Sequence, residues 1–280
     1  VTKVERFLRS LDTFIQKVET NDAFLQALAA EFPEFSNLAN TIDEFETEIA
    51  RLLRNERNHF MDALSGFAGS PLESVLVNFT TVQFIEDNFA VDMKTINQRF
   101  FDETIREITS TVMDGIDRDV AFNTVSRRTT DWIEGWSEEL GEIMQLNTHE
   151  KVEKILREGI ERGASIQDIE LELAELPQFN RARARTTAIT EVLTASSQSH
   201  YEAYKQSPAV IGKRWKHSGS AGIEPRPNHV AMTGTVVAVD EPFTIIDSIE
   251  TAMYPRDPNL TARERVNCHC VMVLLLMMTF

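Results

Sequence analysis

The chain has 280 residues, 42% hydrophobic and 26% charged, which is enough for a sizeable buried core and for roughly two domains of ordinary size. Its 28 Lys and Arg against 44 Asp and Glu leave a net charge of −16, concentrated early: residues 181–280 hold 11 basic and 9 acidic side chains, residues 1–180 hold 17 and 35. Acidity of that size repels nucleic-acid and membrane phosphates, so a DNA contact is expected only in the later, near-neutral part.

The N-terminus lacks the basic start, apolar centre and small-residue cleavage site of a secretory signal, and no apolar run approaches the ~20 residues that span a bilayer. A soluble protein without a membrane anchor is expected. Val4, Phe7, Leu8, Leu11, Ile15 and Val18 recur at helical spacing and predict a helix over 3–31. Within it Asn21 could cap a turn before Phe24, Leu25 and Leu28, and Pro33 ends the stretch. Thr41 and Glu44 have the spacing of a capping box and open a helix carrying Ile42, Phe45, Ile49, Leu52 and Leu53, broken by Gly66, Gly69 and Pro71. From Leu72 to about Met144 the period stays helical, with a break near Asp114–Gly115. Trp132, Trp136, Leu140 and Ile143 mark a buried face there rather than a cofactor box.

Two short helices are predicted next, Val152–Ile160 and Ile166–Leu176, with Ser165 and Asp168 as a cap-like pair and Pro177 as the stop. Residues 181–206 read as one more helix. After Pro208, Gly and Pro become frequent and β-branched runs replace helical periods; Gly234–Val239 and Cys270–Leu275 read as strands. The nearly all-apolar Val271–Phe280 is either a buried strand or the end of a chain that stops short of its natural terminus. The expected fold is a mostly α N-terminal region, 1–147, serving interaction, followed by a small α+β C-terminal domain, 148–280. That domain has helices over 148–206 and a β-rich part, 207–280, with a short antiparallel or mixed sheet.

Cys268 and Cys270 are too close in sequence to close a long loop, so they fit a reducing compartment or metal ligation better than a structural disulfide. On a strand both thiols face the same way and could chelate one soft cation. Zinc wants about four ligands: His229 is the best third, His269 faces away on a regular strand, and His217 or Asp240 could serve. The plainer account makes the cysteines small buried hydrophobes and lets His229 hydrogen-bond a turn. Arg181, Arg183 and Arg185 fan over a wide arc of their helix. They could meet DNA phosphates, although a solvated helix start or ion pairs to the acidic first part is the more ordinary account. No His-Glu-x-x-His, Gly-x-Ser-x-Gly or phosphate-cradling Gly-rich loop occurs, so no catalytic residue is assigned.

The order of motifs in 181–273 carries a resemblance. A helix ending in Thr190–Glu191 is followed by Trp215, Arg226 and His229, Gly234 with Val237, Pro242–Phe243, and Asn267–Cys268–His269–Cys270. This resembles the Mu F-like phage head-morphogenesis family. Two departures stand out: Ile189 where the family usually has arginine, and Ser218–Gly219–Ser220–Ala221 where an acidic turn is common. The resemblance implies a minor head protein inside the capsid near the portal vertex, in the host cytoplasm during assembly. Its implied partners are the portal protein, with the major capsid or scaffolding protein and phage DNA as further ones. Glu191, Trp215, Arg226, His229, Gly234, Phe243, Asn267, Cys268 and Cys270 are its framework positions. No cofactor is assigned; a structural zinc on His229, Cys268 and Cys270 is raised by their ligand chemistry and not by the resemblance. The alternative is a metal-dependent nuclease or toxin-type enzyme on the same domain.

Overall fold

The computed structural model describes residues 22–116, 126–218 and 225–277. The part of the predicted helix before Asp22, with its Asn21 cap, the Gly219–Ala221 departure and residues 278–280 lie outside the described residues. Helix α1 (Asp22–Glu31) ends before Pro33, as read from the sequence, and a 3-10 turn, Pro33–Phe35, follows. Helix α2 (Leu38–Ser65) has its N-cap at Asn37, four residues before the capping box read at Thr41. Thr41 sits inside the first turn instead, its hydroxyl donating to the Asn37 carbonyl at 3.3 Å. The Gly66–Pro71 break is where the sequence puts it; α3 (Leu72–Asn78) follows, then a π turn, Phe79–Gln83.

Helix α4 (Phe89–Ile116) reaches one residue past the Asp114–Gly115 break read from the sequence. Helix α5 (Arg127–Arg162) exceeds its prediction: it passes residues 147 and 148 without interruption, so the short helix read at Val152 is its last third. No Gly or Pro lies between Gly141 and Gly159, and the Thr148 hydroxyl is absorbed by the Met144 carbonyl at 3.1 Å. Gly141 is required where α5 crosses the start of α4, because a Cβ there would lie 2.6 Å from the Ala90 carbonyl oxygen. Ser165 and Asp168 form a complete capping box at α6 (Ile166–Ala174), which ends before Pro177.

Helix α7 (Arg181–Gln206) is the axis of the molecule, packed against α2, α4, the 3-10 turn Pro177–Phe179 and the sheet. Nearly every residue from Arg183 to Tyr204 is buried, polar ones included. Thr194, Ser196 and Ser199 donate to the carbonyls four residues earlier at 2.7–2.8 Å, so small hydroxylated side chains enter the core without orphaned polar atoms.

Strand β1 (Val210–His217) is the centre of a three-stranded antiparallel sheet in the order β2–β1–β5, with β2 (Val236–Val237) and β5 (Cys270–Leu276). Between β1 and β2 lies α8 (Pro227–Ala231). Strands β3 (Phe243–Thr244) and β4 (Thr251–Ala252) pair separately, and α9 (Ala262–Arg265) leads into β5. The strand read over Gly234–Val239 keeps ladder pairing only at Val236 and Val237. The fold is thus a helical N-terminal region followed by a small antiparallel C-terminal sheet. One apolar core runs from Leu25 through α2, α4, α5 and α7 to Met272; a second, around Phe60, Leu72, Phe79, Val152 and Ile169, fills the far end of the bundle.

Candidate functional site

At one end of the sheet the structure brings together His229, Cys268 and Cys270, whose ligand atoms lie within 4.8 Å of one another. All three are at most 2% exposed. His229 Nδ1 is 3.4 Å from Cys268 Sγ and 3.6 Å from Cys270 Sγ. The other ring nitrogen, Nε2, lies 2.8 Å from Glu264 Oε2, and the same carboxylate oxygen accepts from Asn228 Nδ2 at 3.0 Å. His217 adds a second imidazole, with Nδ1 3.7 Å from Cys270 Sγ. His269, between the cysteines, and Asp240, paired with Lys205, are not in the cluster.

Backbone geometry holds the two thiols in place. Asn267 takes a left-handed φ of 54° that turns the chain into Cys268, with its N–H directed at Thr190 Oγ1. Arg256, buried, donates to the carbonyls of both Cys268 and Cys270 at 2.7 Å and to Ser197 Oγ at 2.7 Å. Arg226 donates to the Val266 carbonyl and anchors the start of α8. Trp215, fully buried, meets His229 edge-on at 5.6 Å and Phe243 edge-on at 5.3 Å. Gly234, at φ 91°, closes the turn from α8 back to the sheet, its N–H bonding the Trp215 carbonyl at 2.9 Å.

The electrostatics divide the two thiols. Burial opposes ionising Cys268, but its bond to Cys270 and the His229 and Arg256 charges pull it well below the usual thiol range. Cys270 is pushed well above that range by burial and by its neighbour. Burial alone would lower His229, yet Cys268 and Glu264 bring it up to about 9. His269 is driven down to about 4 by burial.

Residues 150–273, the stretch that holds this whole cluster, match the family described as Phage Mu protein F like protein. Across 277 residues the chain is 50% identical to Uncharacterized protein YqbB of Bacillus subtilis (strain 168), covering 97% of this chain and 91% of the relative. The chain belongs to the phage Mu protein F like family. No solved structure matches it. A Mu F-like match supports a bacteriophage head-morphogenesis role.

The other motif positions of this Mu F-like chain are framework too. Glu191 is buried, accepting from Trp136 Nε1 at 2.8 Å and pairing with Arg265. Ile189 packs into the apolar core. Arg181 pairs with Glu46, and Arg185 with Asp43 and Glu46, on α2. Arg183 is 2% exposed and donates to the Met144 and Gln178 carbonyls and to Thr148. Ion pairing to the acidic first part is therefore the arrangement found.

Sequence reasoning missed Glu264 and the Arg256 clamp, because nothing in their spacing links them to His229 or to the cysteines. It also missed a second group, Glu56, Asp87 and His149, drawn from α2, the turn before α4, and α5. Burial and the Asp87 charge hold Glu56 well above the usual carboxylate range, against the pull of Arg183. Lys213 was missed as well: it is fully buried on β1, its ammonium 4.8 Å from the Tyr201 ring and 5.4 Å from the Phe243 ring.

Proposed function

We propose that this protein is a minor head protein, present at low copy number inside the procapsid at the portal vertex, which assists head assembly and DNA packaging or delivery by binding. The observation that carries this reading is the Mu F-like match over residues 150–273. Burial of the Cys268–His229–Glu264 group supports a framework role, since a reacting thiol needs an approach for substrate. Exposed carboxylates support a binding role: Glu103 and Glu107 on α4 lie beside Asp43 and Glu44 of α2, and Asp131, Glu134 and Glu142 are exposed on α5, which suits a basic region on a portal or capsid protein. Among the described residues no helix is long and apolar enough to cross a membrane.

Co-expression with the portal protein of the same phage, followed by sedimentation at increasing ionic strength, tests the partner. Co-migration that weakens with salt supports the reading; separate sedimentation at low salt contradicts it. The convergence of His229, Cys268 and Cys270, a donor set that could hold a metal ion, is what favours the competing reading, a metal-dependent nuclease or toxin-type enzyme. That reading requires nuclease or toxic activity to disappear in Cys268→Ser without unfolding.

A further inference from the structure

Three donors, His229, Cys268 and Cys270, converge at one edge of the sheet with ligand atoms within 4.8 Å of one another, and His217 borders them with Nδ1 3.7 Å from Cys270 Sγ. Cys270 opens β5 directly opposite His217, the last residue of β1, so these side chains stand side by side on one face. Cys268, two residues earlier, turns its sulfur to the same place, and His229 reaches it from α8. Tetrahedral zinc, with bonds of about 2.3 Å to sulfur and 2.0–2.1 Å to nitrogen, sets sulfur–nitrogen separations of roughly 3.5–3.6 Å. The separations here are 3.4, 3.6 and 3.7 Å. A simple thiol–imidazole hydrogen bond accounts for one of them. It does not account for one ring nitrogen nearly equidistant from two sulfurs, with a second imidazole on the same sulfur.

The surroundings fit a metal as well. Glu264 holds His229 Nε2, which leaves the Nδ1 lone pair toward the sulfurs, the carboxylate–histidine arrangement that orients metal ligands. Two thiolates would cancel the charge of one divalent ion, so the buried group would be neutral as a whole. His229, Cys268 and Cys270 are buried and His217 is half-buried, so the donor set is shielded on the side of the core.

We propose that Cys268, Cys270, His229 and His217 bind one zinc ion in a closed structural site that ties the end of β1, α8 and the start of β5 together, with Glu264 as a positioning residue. The ion fastens α8, which has no ladder pairing, to the β1–β5 edge of a sheet whose other edge strand, β2, keeps only two paired positions. The assignment is independent of the portal-binding reading.

The full chain, expressed with zinc in the medium and desalted, is assayed for zinc by mass spectrometry and then exchanged into cobalt(II). One zinc per chain is expected, with a cobalt spectrum showing thiolate charge transfer and tetrahedral ligand-field bands. Both should be lost in Cys268→Ser. His217→Ala should keep the helical circular dichroism but alter the cobalt spectrum, and Glu264→Gln should weaken zinc affinity by about 10–100-fold under chelator competition. Wild-type protein that retains no stoichiometric zinc and gives a featureless cobalt spectrum overturns the site. Retention and spectrum unchanged in His217→Ala overturn the fourth ligand.

Discussion

Glu191 on α7 and Arg265 on α9 form an ion pair sealed from solvent, with side chains 3% and 0% exposed. The indole N–H of Trp136 donates to the same carboxylate oxygen, and the Arg265 guanidinium lies 4.2 Å from the Trp136 ring centre. The three residues join α5, the central helix and the C-terminal module into one buried network. Glu191→Ala strands the arginine charge, so a loss of about 3–5 kcal/mol is expected in urea unfolding. A loss under about 1 kcal/mol would show that the network is not a major tie.

Lys213 gives a pH signature. Burial lowers its ammonium from 10.5 to about 8, against the opposing pull of Asp240 and Asp257. Between those values the unfolded chain binds more protons at this residue than the folded one, so its contribution makes stability rise with pH. Lys213→Met should raise Tm at pH 7 by about 2–4 °C and flatten that rise, as read by thermal melts from pH 7 to 10. An unchanged slope would show that the side chain does not titrate in this range.

Glu56 acts in the other direction. Its raised pKa means that the proton it holds contributes stability in acid, lost as pH rises through the folded value. Glu56→Gln should therefore match wild type near pH 4.5 and exceed it at pH 8, by about 2–4 °C in Tm. Equal melting temperatures at pH 8 would contradict the assigned cause.

Gly141→Ala tests the crossing of α4 and α5. The added methyl meets backbone at 2.6 Å rather than a flexible side chain, so the helices must part. A cost of about 1–3 kcal/mol is expected despite the better helix propensity of alanine. A stabilised variant would mean that the helices separate freely.

The amphipathic helices were legible because Ile42, Phe45, Ile49, Leu52 and Leu53 carry the helical period in plain sight. The central helix was legible in extent, Arg181–Gln206, but not in burial, because its Thr and Ser residues look solvent-facing until their hydroxyls turn onto their own backbone. The continuity of α5 through 147 and 148 was hidden for a related reason: the boundary read between them falls on two polar residues, Asn147 and Thr148, yet both are buried. His229, singled out by residue type, lies together with Cys268 and Cys270, singled out by strand period. Glu264 was not, because a carboxylate that orients a ring across 35 positions leaves no local pattern. Arg183 is the clearest case of environment overriding type: a guanidinium expected at the surface satisfies its donors on carbonyls in the core.

The central claim is a place in the phage head, and quantitative mass spectrometry of purified procapsids and mature particles tests it most directly, with portal and major capsid protein as internal standards. A few to a dozen copies per particle is the expected result. Absence from both kinds of particle would contradict it.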